Sequence, residues 1–389
     1  MSLPVCFDGI GAKLPENVRM GYMEAEVLRP GADTGDRMVA KFTCADGLVV
    51  HAIGVPQAWP SSLGPTWSYV LEADKLTLVD TGGPGSIGEL EAGLEWLGYP
   101  LSAVERVILT HGHMDHDGSC FKVIAQTGAE LWAHEVYGTL VGLDGQEMDQ
   151  EWRRRLKDSA SGRDRPEMDE AARAHIQEYR DAARRIEVTN LVTDGLACDG
   201  LTFFYTPGHS PDQLCIQYGK VLFTGDHVLP QITPHPSVGS SYAKFRDALP
   251  PGYQNDNQYF GLKTFMKSLK RVAAMAPDIS VLPAHRAYFH GKFNLTGVER
   301  AQEILEHHRE RCYDLLGLIR KESDDMESIT HRHFSGRHLE GANFYMAMSE
   351  VISHIEFLQE VGDVEVVGKD ESQVRWTGSE NYGRAIDEL

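Results

Sequence analysis

Thr110-His111-Gly112-His113-Met114-Asp115-His116-Asp117-Gly118 sets four potential metal ligands within six residues, directly after the apolar run Val107-Ile108-Leu109. The run reads as a buried strand, and the turn after it opens a helix. Neutral imidazoles and carboxylates are the groups that a divalent cation such as zinc prefers. The His-x-His alternation puts two imidazoles on one side of an extended segment, while Asp115 and His116 turn toward a second position. One cluster can therefore serve two metals.

This stretch resembles the signature of the metallo-β-lactamase superfamily. The resemblance implies an α/β fold: an αββα sandwich of two mixed sheets with outer helices, carrying ligands at several strand ends. The rest of the chain supplies them. The apolar run 66 to 79, long enough for two strands turning near Ala73-Asp74-Lys75, ends in Asp80-Thr81-Gly82-Gly83. The resemblance makes Asp80 the partner that orients a metal-bound histidine. A strand at 201 to 205 runs into Thr206-Pro207-Gly208-His209-Ser210-Pro211-Asp212, which matches a second motif of the family and makes His209 a ligand. A hairpin around Gly219-Lys220 ends in Asp226, which the family uses as a bridge between two metals. A last strand at 279 to 282 ends in Pro283-Ala284-His285-Arg286, and His285 completes the set.

By resemblance, His111, His113 and His209 hold one Zn2+, Asp115, His116 and His285 hold a second, and Asp226 joins them. Iron or manganese are further candidates for the same ligands. Asp at 226, where some β-lactamases have Cys, points to a glyoxalase II-like ligand set. Two cations sharing a water lower its pKa toward neutrality, so a bridging hydroxide can attack an electrophilic carbonyl without a dedicated base. Asp115 would orient that hydroxide while ligating. The leading expectation is thus a dinuclear zinc hydrolase of a small-molecule ester, thioester or lactone. A metal-dependent endoribonuclease, a β-lactam hydrolase and a mononuclear iron oxygenase are the alternatives.

The surroundings are less specific. Residues 1 to 45 yield no clear element and no chemistry. A domain over 1–290 is expected, interrupted at 136–190 by a charged helical insertion. Pro166 suits a first helical position there, and Met168, Ala172, Ile176, Tyr179 and Ala183 make one apolar stripe. The insertion reads as a cap over the site or a subunit contact, and Arg153 to Arg155 as a solvated face. His134 is expected to be a surface histidine at a helix start, and His227 to face away from the metals. The loop 229 to 258 is a candidate substrate wall, in which Tyr242, Phe245, Tyr253 and Tyr259 are candidate lining residues. Arg286 and Tyr288 are candidate contacts to an anionic or carbonyl group.

Residues 291–389 read as helix, helix and β-hairpin, a winged-helix-like C-terminal region similar to tails on some lactamase-like hydrolases. From Asp324 onward it carries 14 acidic and 5 basic side chains, a net of 5 − 14 = −9. Phosphate binding needs the opposite sign, so a packing or dimerisation role is expected, with a homodimer as one outcome. His307, His308, His331, His333 and His338 read as solvated helix faces. The whole chain of 389 residues carries a net charge of −20, which argues against nucleic acid or an anionic membrane as a general partner. There is no 18-residue apolar run, the start Met1 to Cys6 is unlike a signal peptide, and six scattered cysteines suit reduced thiols. A cytoplasmic protein is expected.

Overall fold

Short β-branched and aromatic runs separated by turns build the first half of the chain. The computed structural model describes residues 23–57, 63–142, 170–335, 339, 342–367 and 373–389. Strands β1 (Met23–Arg29), β2 (Val39–Cys44), β3 (Val49–Val55), β4 (Thr66–Glu72), β5 (Leu76–Val79), β6 (Arg106–Ile108), β7 (Glu130–His134) and β8 (Asn190–Val192) form one eight-stranded sheet in sequence order. Strands β1 to β5 pair antiparallel through turns. From β5 to β8 the pairing is parallel, which requires crossovers. The first two carry helices Ile87–Trp96 and Cys120–Thr127. The third, between β7 and β8, contains the insertion, of which helices Tyr137–Gly142 and Glu170–Ala183 are described.

The second sheet comprises β9 (Ala197–Cys198), β10 (Leu201–Tyr205), β11 (Leu214–Tyr218), β12 (Val221–Gly225) and β13 (Ser280–Pro283). The small hairpin β14 (Tyr288–Phe289) and β15 (Lys292–Phe293) precedes β16 (Thr296–Gly297), which closes the order β16-β13-β12-β11-β10-β9. Strands β12 and β13 run parallel, joined through helix Leu262–Ala273. Both sheets are mixed.

Phe42, Trp67 and Tyr69 of the first sheet meet Phe203, Phe223 and Leu282 of the second in a core between the sheets. Outside the first sheet, Leu90, Leu94 and Val123 pack on Val70, Leu78 and Leu131. Outside the second, Phe265 and Leu269 pack with Leu222 and Val281. The result is helix, sheet, sheet, helix, and each buried Leu or Phe contributes about 1.5–3 kcal/mol relative to an exposed one.

The C-terminal region has helices Glu299–Lys321, Met326–His333 and Ala342–Glu360, then strands β17 (Asp324–Asp325), β18 (Val364–Val367) and β19 (Gln373–Trp376) in the order β17-β19-β18. Its Leu315, Ile355 and Val374 belong to the same apolar cluster as Phe265 and Val281, so the C-terminal helices share a core with the outer face of the second sheet. Among the described residues, no helix is long and apolar enough to cross a membrane.

Several expectations change. The region without an expected element contains β1 and β2, with Ala40 and Phe42 fully buried. His134 is not a surface residue: at 2 % exposure it stacks on Tyr205, with ring centroids 4.0 Å apart. His308 is not solvated either and lies fully buried between helices. Polarity misled in both places, because buried imidazoles are accommodated by aromatic stacking or hydrogen bonds. The stripe Ala172, Ile176 and Ala183 is buried as expected. Pro166, Met168, Arg153 to Arg155 and His338 lie outside the described residues.

Candidate metal centre

Four strand ends and the turn after β10 converge on one edge of the sandwich. There the two sheets are joined by main-chain hydrogen bonds: Leu214 N–H donates to Thr110 O at 2.8 Å, and Trp67 N–H to Ala284 O at 2.8 Å. The backbone that presents the histidines is therefore held from both sheets.

Two glycines are required by this geometry. Gly208 has φ +131°, and a Cβ there would lie 2.3 Å from the Phe265 Cα. Gly225 has φ +51°, and a Cβ would meet the Thr110 hydroxyl at 2.5 Å. Only glycine permits both the backbone conformation and the approach, and each sits directly before a candidate ligand, His209 or Asp226.

His113 Nδ1 lies 2.9 Å from His111 Nε2 and 3.1 Å from His209 Nε2. These three nitrogens form one trio. A second trio is Asp115, His116 and His285, with Asp115 Oδ2 3.3 Å from His285 Nε2 and Asp115 Oδ1 3.9 Å from His116 Nε2. Asp226 stands between them. Its Oδ2 is 3.7 Å from His209 and 3.6 Å from His116, and its Oδ1 is 3.5 Å from His285.

The outward ring nitrogens are tied back. His285 Nδ1–H donates to Pro65 O at 3.0 Å and His209 Nδ1–H to His235 O at 2.9 Å. His116 Nδ1–H donates to Asp80 Oδ2 at 2.9 Å. His111 Nδ1–H donates to the Thr110 hydroxyl at 3.1 Å, which in turn donates to Asp80 Oδ2 at 2.8 Å. Each of these four Nε2 atoms is thereby left as a bare lone pair facing the common space, the arrangement seen around metal-binding histidines. Asp80 holds φ +59°, sparsely populated for a residue with a Cβ, and its Oδ1 also accepts Thr110 N–H at 2.8 Å.

His116 Nε2, His285 Nε2 and Asp226 Oδ1 are buried without a hydrogen-bond partner. Such orphans are costly unless something occupies the space between them. Burial depresses His113 and His209 to about 4 and holds His111 well below the usual range, where neighbouring imidazoles lower it further. Burial also opposes a charge on His116 and His285, but Asp226 and Asp115 outweigh it and raise both. Reciprocally, the two carboxylates fall below their ordinary value despite burial, because those imidazoles face them. A neutral trio beside a charge-dense carboxylate trio is what a pair of divalent cations requires, and the residues fit that group.

Several surrounding residues escaped the sequence reading. Gln57 Nε2–H reaches Asp115 Oδ2 at 3.4 Å, and the Thr66 hydroxyl donates to Asp115 O at 2.8 Å. Asp212 accepts Gly112 N–H at 2.8 Å, and burial raises its carboxyl to about 6. Asp117 accepts hydroxyls from Tyr137 at 2.9 Å and from Tyr179 of helix Glu170–Ala183 at 3.0 Å. That pair ties the insertion to the ligand loop. His235 stands with its ring centroid 5.2 Å from that of His209. Its flanking prolines, Pro234 and Pro236, were the only local signal.

The other candidates are placed as follows. Arg286 has φ +59°, is 3 % exposed and lays its guanidinium over Phe289 at 4.3 Å. Tyr288 meets Phe293 edge-on at 5.0 Å. The Tyr242 hydroxyl donates to Tyr253 O at 3.0 Å, and Tyr259 stands 4.7 Å from Tyr253. With Tyr205 and His134 these rings make an aromatic wall behind the turn that carries His209. Phe245 is a core residue, packed on Phe260. His227 is fully buried, edge-on to Phe265 and away from the trios.

The sequence model of the metallo-beta-lactamase superfamily matches residues 62–285, which contain all seven of these ligand candidates. The chain belongs to the metallo-beta-lactamase superfamily. As a superfamily member it is a metallo-hydrolase whose histidine and aspartate clusters could bind metal. It is 23 % identical over 325 residues to a Bacillus subtilis (strain 168) protein named "Probable metallo-hydrolase YqjP", covering 80 % of this chain and 92 % of that one. A metallo-beta-lactamase family protein from Thermus thermophilus superposes with a TM-score of 0.62 at 24 % identity, over 84 % of this chain and 98 % of the other. A beta-lactamase domain protein from Burkholderia ambifaria gives 0.64 at 22 %, over 93 % and 99 %. Both solved structures share the fold of this superfamily member.

Proposed function

We propose that the chain is a dinuclear zinc hydrolase that cleaves a small-molecule ester, thioester or lactone. The observation that carries this reading is Asp226, whose two oxygens lie within 3.5–3.7 Å of histidines from both trios. His111, His113 and His209 would hold the first ion, Asp115, His116 and His285 the second, and Asp226 both. When bound, such ions supply Lewis acidity toward a carbonyl oxygen and lower the pKa of a shared water.

The chain's own residues do the rest. Asp115 is both ligand and hydrogen-bond acceptor, so it can orient a water while Gln57 and Thr66 keep it in place. Asp80 holds the His116 tautomer that leaves Nε2 bare. Helix Glu170–Ala183, anchored through Tyr179 to Asp117, is suited to cap the edge of the site and limit entry to small substrates. The net charge of −20 supports a small molecule over RNA.

The test is metal analysis with a substrate panel. Protein purified without chelator should carry about two zinc ions per chain. It should act on a member of a thioester and lactone series, and not on β-lactams, phosphodiesters or RNA. Asp226→Ala should abolish that activity and most of the second metal while keeping the fold. A single iron with oxygen uptake, or full activity in Asp226→Ala, would overturn the reading.

A further inference from the structure

A second group of metal-ligating side chains lies outside residues 62–285, between the C-terminal helices. Glu350 and His354 are one turn apart on helix Ala342–Glu360 and so share a face, and His308 meets them from helix Glu299–Lys321. All three are fully buried. His308 Nδ1 is 3.1 Å from His354 Nε2 and 3.8 Å from Glu350 Oε1, and one ligand atom from each lies within 4.8 Å of the others.

A closed hydrogen-bond network does not account for the cluster. His354 Nδ1–H donates to Glu350 O at 2.7 Å, which leaves His354 Nε2 as an acceptor. His308 Nδ1–H can satisfy it, but then His308 Nε2 becomes a buried lone pair with no partner. Glu350 Oε2 is orphaned in the same way, while Arg311 bonds the other oxygen. Two buried acceptors are orphaned in this way, one of them on a carboxylate, and each is costly to leave unpaired. A cation bonded by His308 Nδ1, His354 Nε2 and the carboxylate replaces the His308–His354 hydrogen bond and gives Glu350 a further partner, with the proton of His308 on Nε2.

We propose that His308, Glu350 and His354 form a separate cation site of the two-imidazole, one-carboxylate kind that takes zinc or a similar transition metal. Its supporting bonds match those of a ligand set: His354 is held through its other nitrogen by a carbonyl, and Glu350 is held by Arg311 at Oε1, the oxygen 3.8 Å from His308 Nδ1. Burial keeps both imidazoles neutral, the form that ligates. The ion would pin helix Glu299–Lys321 to helix Ala342–Glu360 and stabilise the C-terminal region, independently of the hydrolase reading.

The test uses the full chain, stripped with chelator, dialysed and titrated with Co2+ or Zn2+ alone. Wild type should take up about one equivalent more than either Glu350→Gln or His354→Gln, each with native circular dichroism. Equal uptake by wild type and folded variants overturns the site. A second arm leaves the cluster intact and removes one ligand from each proposed catalytic ion, with His113→Ala and His285→Ala. That chain should retain about one equivalent and melt at a higher temperature with added Zn2+. Retention of none overturns the site, whatever the fate of the other variants.

Discussion

Asp80 illustrates how one side chain sets the chemistry of another. Its carboxylate collects Thr110 N–H, the Thr110 hydroxyl and His116 Nδ1–H, all at 2.8–2.9 Å, from a backbone held at φ +59°. Both His111 and His116 thereby receive their tautomers from a residue outside the two trios. Replacing Asp80 by Ala should weaken metal affinity about 10–100-fold, measured by competition with a chromophoric chelator. An unchanged affinity would show that His116 is oriented without it. The motif Asp-Thr-Gly-Gly made Asp80 readable in the chain; Asp212 lies inside the motif 206–212 but its bond to Gly112 was not readable there, and Gln57, which reaches Asp115, sits without a distinguishing local pattern.

At the scale of elements, the strand ends matter more than the strands. β10 could end in many turns, but only Gly208 lets the chain fold against Phe265 and still aim His209 at His113. Gly208→Ala should cost about 3 kcal/mol, from positive φ and forced overpacking together. Gly128, also at positive φ (+72°) but with nothing within 4 Å, is the control and should cost only about 1 kcal/mol. Urea unfolding of both variants checks the difference; equal losses would mean that packing against Phe265 contributes nothing. The crossover between β7 and β8 shows the same dependence on context. Its stripe of Ala172, Ile176 and Ala183 announced a helix, but its attachment to Asp117 through Tyr179 depends on where that helix lands.

For the whole molecule, buried imidazoles outside the centre couple folding to pH. Burial lowers His134 to about 4 and His227 to about 3, against an ordinary value of 6.5. The unfolded chain then binds more protons than the folded one below 6.5, so stability is lost as pH falls from 6.5 toward 4. For His134 the full loss is about 3 kcal/mol. His134→Gln should therefore show a shallower decline in urea midpoint between pH 6.5 and 4 than wild type. An identical acid slope would exclude His134 as a source. The aromatic wall responsible for this shift joins β7, β10 and the loop after β12, segments up to 119 residues apart.

The sequence by itself determined the αββα order, the strand ends and the seven ligand candidates. Ligand spacing, period-two burial and glycine placement are local properties that a linear chain displays. Tertiary structure alone decided the distances at which Asp226 meets histidines of both trios, and that Tyr179 fastens the insertion to the ligand loop. It also decided that His308 is buried against Glu350 and His354 rather than solvated. The physical reason is that an ionisable side chain's environment depends on partners distant in sequence. Polarity predicts exposure only until such a partner offsets the cost of burial.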